Sequence, residues 1–227
     1  MSGFSIRQRL FLKIWFTSFY SILVMLLIPI AAYVINSSGS YTIEELSSII
    51  YEEAAPIWFV LILQWCFSID FDSKFYHQLM TYPVSRWKFI MERFLFSAFI
   101  FIGLLSVVTL VLTPTMGVFV WQGLAFTIPV YIAIVGFVVA GTVIGKHSIG
   151  GLLAGILFWM ISEFSGIFLG DLNVILLKYG SVYTFVHGES ALFAVENHWI
   201  FYNRLFYMGI GVLLIGLAML QLNRKTV

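Results

Sequence analysis

Of 227 residues, 61% are hydrophobic, 18% aromatic and only 10% charged, too little polarity to cover a water-soluble domain. The formal net charge is +1, with the twelve bases dispersed along the chain, which excludes bulk nucleic-acid binding. The single cysteine, Cys66, lies inside an apolar run; it excludes an intrachain disulfide or a cysteine-based metal centre and reads as a small core residue.

The apolar residues fall in runs of helix length, predicting an all-α integral membrane protein: a single transmembrane domain over 1–227 with six spans. Residues 1–13 place Phe4, Ile6, Leu10, Phe11 and Ile14 mostly on one side of a helical wheel and Gln8, Arg9 and Lys13 on the other. This is the pattern of an amphipathic interfacial helix whose bases meet anionic headgroups. Residues 14–35 carry no charge and exceed a signal-peptide core in length, so they are expected to remain as the first span. Residues 36–53 contain Glu44, Glu45, Glu52 and Glu53 and no Lys or Arg, the composition of an outer loop. The second apolar run, 54–69, is short for a bilayer and is expected to borrow from the preceding helix or to tilt little. Gln64 within it suits a hydrogen bond between helices.

The stretch 69–93 is polar and rich in base, with Lys74, Arg86, Lys88 and Arg93 against Asp70, Asp72 and Glu92, so it is assigned to the inner side. Lys74 to Met80 predicts a short helix with Phe75 and Leu79, and Tyr76 and Met80, at helical spacing. Pro83 disfavours helix at Tyr82, and Ser85 is a ready N-cap for a helix opening at Arg86. Exposed aromatic side chains at such a corner call for a partner.

The order of a short helix, then L-M-T-Y-P-V-S-R, then a basic entry into an apolar helix resembles the segment between the second and third spans of ABC-2-type transporter permeases. The matching positions are Leu79, Pro83, Val84, Ser85 and Arg86. The resemblance covers nearly the whole chain in topology and about ten residues in motif. It implies that 73–86 is a coupling segment seated in a groove of a cytoplasmic ATPase through Phe75, Tyr76, Leu79, Met80, Tyr82, Pro83, Val84, Ser85 and Arg86.

The third span is expected over 94–112 and to end at Pro114, the fourth over 118–144 with Pro129 as a kink, and the fifth over 149–169. Gly150, Gly151 and Gly155 open the fifth span and allow close helix approach. Residues 170–203 are too apolar for solvent, and Asn173 to Val186 suit short helices dipping into the outer leaflet, as in the family resembled. The sixth span is expected over 205–222. With both termini inside, Arg7, Arg9, Lys13, Lys74, Arg86, Lys88, Arg93, Lys146, Arg224 and Lys225 are inner, and only Lys178 and Arg204 outer, as the positive-inside rule requires.

Motifs for chemistry are missing. Gly141 to His147 lacks the spacing and the Ser or Thr of a phosphate loop, and there is no H-E-x-x-H or G-x-S-x-G. Glu53-Ala54-Ala55 echoes the importer coupling motif but lacks its following glycine. The histidines, His77, His147, His187 and His198, are scattered and read as interfacial residues. The chain is therefore not expected to be an enzyme by itself. Glu163 is the one charge well inside a predicted span; an intramembrane carboxyl marks a functional site by default. It suits a translocation route with Ser162, Ser165 and Gln64, and equally suits a protonated or hydrated tie between helices.

The resemblance implies an exporter complex in a bacterial cell membrane: two cytoplasmic ABC ATPase subunits that bind ATP and Mg, with two permeases, as a homodimer or with a related chain, among membrane lipids. This chain itself would hold no cofactor. An amphipathic substrate such as an antimicrobial or toxin peptide fits the apolar walls, and a lipid or drug fits them too. A scaffold or sensor subunit without transport is the alternative of another class.

Overall fold

A computed structural model describes residues 3–38, 46–47, 49–73, 86–169 and 198–224. All the regular elements among these residues are helical: α1 (Gly3–Thr17), α2 (Phe19–Ser37), a π-helical turn (Ile49–Ala54) running into α3 (Ala55–Phe71), α4 (Arg86–Met116), α5 (Phe119–Gly145), α6 (Ser148–Leu169) and α7 (His198–Arg224). Among the described residues four stretches are long and apolar enough to cross a membrane: Ile49–Phe71, Trp87–Pro114, Val120–Gly145 and Ile200–Leu222. The bent pair α1–α2 makes a fifth if counted as one span. Residues 74–85 of the expected coupling segment 73–86, the outer-leaflet helices expected within Asn173 to Val186, and Glu44 and Glu45 lie outside the described residues.

α1 ends later than the wheel pattern predicted. Helix persists to Thr17, whose hydroxyl donates to the Lys13 carbonyl at 2.9 Å. Ser18 is then extended (φ −79°, ψ 125°), and the chain turns by 77° into α2. α2 thus begins at Phe19, inside the apolar run 14–35, and the break at Ser18 divides that run between two helices. Tertiary contacts keep residues 14–17 in the first helix: Trp15 is fully buried, packs edge-on against Trp65 with ring centroids 4.5 Å apart, and donates its indole N–H to Met25 Sδ at 3.3 Å. Phe11, one turn earlier, meets Trp65 and Phe96 in the same edge-to-face manner.

The second span does borrow from the preceding residues, through the π-turn. Pro56 stands five residues after Tyr51 and has no N–H, so an i→i+5 ladder leaves the Tyr51 carbonyl without its partner. The Tyr131 hydroxyl, from α5, donates to it at 2.8 Å. The Tyr51 side chain is fully buried and meets Thr109 Oγ1 of α4 at 2.7 Å. Because Thr109 gives its own proton to the Leu105 carbonyl, Tyr51 is the donor. One irregular turn is thereby tied to two other spans.

Pro114 does not end α4. The helix runs two residues further, to Met116, and closes where Gly117 adopts φ 93° and donates its N–H to the Thr113 carbonyl at 2.9 Å. Glycine supplies the left-handed turn that stops the helix; proline removes a hydrogen bond without reversing the chain.

α5 is the central helix, packed most extensively against α7 and α6 and touching α3 and α4. Small residues set these distances. A methyl group on Gly211 of α7 would lie 2.5 Å from the Ile132 carbonyl oxygen, and one on Gly136 of α5 would lie 2.6 Å from the Gly211 oxygen. At the α5–α6 hairpin a methyl on Gly150 would lie 2.5 Å from the Gly141 oxygen. The glycines of the failed phosphate-loop pattern are packing residues here. Gly211→Ala is expected to lower stability by about 1–3 kcal/mol through overpacking. Gly209→Ala and Gly216→Ala, with nothing within 4 Å of the added carbon, should be neutral or stabilising through helix propensity. Unfolding of the purified variants in mixed micelles checks the contrast, and equal midpoints for all three would remove it.

Large apolar side chains remain exposed along α2, α4, α6 and α7, among them Phe19, Tyr33, Phe99, Leu110, Leu157 and Leu213. In water such an area drives association; against hydrocarbon it is the matching solvent surface.

Candidate functional site

The described residues concentrate their buried charge at the two ends of the second span. Glu52 stands in the π-turn and Asp70 near the end of α3. Eighteen residues at 1.5 Å each separate them by about 27 Å, close to the roughly 30 Å hydrocarbon thickness of a bilayer. Both carboxylates are 1% exposed, and each takes an arginine from a different helix.

At the first end Arg204 of α7, 7% exposed, pairs through Nη2 with Glu52 Oε1. Composition assigned Glu52 to an acidic outer loop and Arg204 to an outer loop as well; both are instead inside helices and inside the fold. The reason is pairwise: either charge alone in this apolar setting is costly, and together they form a neutral group. A readable signal existed for Arg204, since Trp199, Ile200, Phe201 and Tyr202 upstream extend the apolar run of α7 beyond the expected start at 205.

Around this pair polar demand is incompletely met among the described residues. Glu52 Oε2, Arg204 Nε and Nη1, and Glu163 Oε1 are buried with no hydrogen-bond partner. Glu163 lies on α6 within electrostatic reach of Glu52 and Glu53. Its neighbour Ser162 is buried, donates to the Phe158 carbonyl at 2.9 Å and lies in hydrogen-bond reach of the Tyr207 hydroxyl. Ser162 and Glu163 are adjacent on α6; the Ser165 side chain lies outside the described residues.

Gln64 is elsewhere. It is half-buried on α3 and donates from Nε2 to Ser148 Oγ at 3.1 Å, a hydrogen bond between helices at the first turn of α6. Ser148 also gives its backbone N–H to Asp72 Oδ1 at 2.9 Å and its hydroxyl to Asp72 Oδ2 at 2.5 Å. Asp72 thus caps a helix to which it does not belong, placing negative charge at the N-terminus where the dipole favours it. His147 Nδ1 stands 3.1 Å from the same carboxylate. The turn before it is tight, with Lys146 in the left-handed region at φ 55°.

At the second end Arg93 of α4 binds Asp70 through two parallel contacts, Nε to Oδ2 at 2.5 Å and Nη2 to Oδ1 at 3.0 Å. Sequence placed Arg93 in the basic inner loop; it is 8% exposed, within the α4 helix. The fork geometry explains its retention, because a guanidinium matches a carboxylate in two hydrogen bonds where an ammonium offers one point charge. Phe11 of α1 covers the guanidinium face at 3.8 Å, a cation–π contact. A cavity of about 380 Å³ opens beside the pair, bordered by Leu10, Phe11, Ile14, Ile69, Asp70 and Arg93.

Asp70 and Arg93 bracket the stretch assigned to coupling, joining its two flanks. Arg86, the last residue of the resembling motif, is the first of α4, and its side chain lies outside the described residues. The Asp70–Arg93 bridge and the Asp72 cap were not read from sequence. Among the described residues no group of three or more His, Cys, Asp or Glu is placed to hold a metal ion. Compared with protein-family models, with curated proteins and with solved structures, the chain matches none.

Proposed function

We propose that the chain is the permease subunit of an ABC exporter, moving an amphipathic substrate out of the cell under the drive of a separate cytoplasmic ATPase. One observation supports this reading above the others: the segment carrying the resemblance is framed by a buried, two-point ion pair between its flanking helices, Asp70 to Arg93. A slack loop dissipates a push. A loop whose ends are locked together moves with α3 and α4 as one lever, and the Asp72 contacts pass that movement to α6.

In this reading two ATPase subunits bind ATP and Mg and press on Phe75 to Arg86, and a second permease completes the pathway. Glu163 and Ser162 line the route near the Glu52–Arg204 pair. Membrane lipid surrounds the exposed apolar faces, and both termini are cytoplasmic.

Affinity purification of the tagged chain in mild detergent, compared with the Phe75→Ala/Pro83→Ala variant, tests the proposal. A soluble protein with vanadate-sensitive ATP hydrolysis should co-purify with the native chain and fall at least tenfold with the variant. Failure to recover such activity even after crosslinking overturns the permease reading.

A further inference from the structure

Between α4 and α5 lies a groove of about 350 Å³. Its floor is an aromatic cluster: Phe59 of α3 stacks on Phe101 of α4 at 4.3 Å, and Tyr131 of α5 meets Phe101 edge-on at 4.9 Å. All three are buried, whereas Leu95, Ile102 and Ile128, which also line the groove, are exposed. The groove therefore opens on the outward face of two helices that are each long and apolar enough to cross a membrane. Among the described lining residues Tyr131 alone carries a polar side-chain atom, and that hydroxyl is spent on the Tyr51 carbonyl. Nothing is left in the wall to hold water, a head group or a peptide bond, each of which would lose hydrogen bonds there. Hydrocarbon loses none, and it supplies the dispersion contacts that an empty groove denies its lining.

Size selects the form of the hydrocarbon. The lining runs from Phe94 to Leu105 on α4 and from Leu124 to Val135 on α5, on each helix about 16 Å at 1.5 Å per residue. That is close to half of a hydrocarbon core roughly 30 Å thick, the depth of one leaflet. An apolar cavity of roughly 150 Å³ takes the six carbons of benzene, so a groove of this volume takes about fourteen. A zigzag chain with bonds of about 1.5 Å advances roughly 1.3 Å per carbon, so about thirteen carbons span the same length. Volume and length thus agree on one saturated chain. Together they leave a channel about 5 Å wide, too narrow for a helix about 10 Å across from a second copy.

One end of the groove is marked. Trp121 stands one turn before Leu124 on the same face of α5; it is partly exposed, and its indole N–H donates to Thr113 Oγ1 at 3.1 Å. A tryptophan so placed at a span end sits at the level of lipid head groups. The head then belongs at the Leu105 and Leu124 end, and the chain tip at Phe94 and Val135. We propose that the groove binds one acyl chain, about fourteen carbons long, of a membrane phospholipid whose head group lies level with Trp121. The site rests on α4 and α5 crossing the membrane and not on the permease reading.

The test is photolabelling of the purified full chain, without any ATPase, in nanodiscs of dimyristoylphosphatidylcholine. A small fraction of the lipid carries a diazirine near the carboxyl end or near the methyl end of one chain. After illumination, mass spectrometry of the digested protein should find adducts on residues 94–105 and 124–135 at least tenfold above those on Val212, Leu213 and Leu217, which are comparably exposed on α7. The carboxyl-end label should fall near Leu105 and Leu124, the methyl-end label near Phe94 and Val135. Ala98→Phe fills the groove and should cut its labelling at least fivefold with α7 unchanged; Ile128→Trp, on the exposed rim, should do the same where the first variant loses the native circular dichroism. Labelling no higher than on α7, the two labels in reverse order, or unchanged labelling in a folded variant overturns the site. An unlabelled groove in discs that hold two chemically cross-linked copies also overturns it, because a second chain would then be the occupant.

Discussion

Glu52→Leu is expected to destabilise the fold by about 3–5 kcal/mol, because it strands the Arg204 guanidinium inside the protein. Arg204→Leu should cost less. A stranded carboxylate can discharge itself by taking up a proton, whereas a guanidinium cannot. The double variant Glu52→Leu/Arg204→Leu should recover most of the loss and equal or exceed the native chain, since similar-sized apolar groups replace a buried pair at little net cost. Trp fluorescence followed through unfolding in mixed micelles reads all three. Single variants within about 0.5 kcal/mol of native, the scatter expected of surface changes, would mean that the pair is hydrated and not part of the core.

The second large effect belongs to the opposite end of the same helix. Asp70→Leu should also cost about 3–5 kcal/mol, for the same reason of a stranded guanidinium, and Arg93→Lys should cost roughly 1–3 kcal/mol although charge is kept. Lysine forfeits the two-point contact at 2.5 and 3.0 Å and the flat face that lies 3.8 Å from the Phe11 ring. In the proposed permease complex, Arg93→Lys should leave association with the proposed ATPase intact while lowering substrate-stimulated ATP hydrolysis severalfold, because the frame of the 73–86 segment loosens and the residues proposed to dock are untouched. Stimulation equal to native, at a measured loss of stability, would confine Asp70–Arg93 to a structural role.

Each pair was hard to read in one dimension for a definable reason. Asp70 and Arg93 are 23 residues apart and Glu52 and Arg204 are 152 apart. Hydropathy sums each neighbourhood by itself and assigns a charge near a span end to the aqueous side. Lys88 and Lys146 are exposed, whereas Arg93 and Arg204 are buried against partners that come from elsewhere. The bend at Ser18 escaped for a similar reason: the apolar run continues through it, and what holds Trp15 in α1 is Trp65, fifty positions on.

Sequence by itself determined the class of the molecule and the placement of most of its helices. Composition excludes a water-soluble surface, and runs of apolar residues predicted α5 to within one residue at each end and the glycine-rich start of α6. These are local properties, set by how much apolar surface a contiguous stretch presents. Tertiary structure alone decided which charges are buried, that Pro56 hands a backbone carbonyl to Tyr131, and that Asp72 caps another helix. Those choices depend on what lies across the interface, since the cost of burying a charge or a bare carbonyl is set by the partner that arrives and not by the residue that carries it.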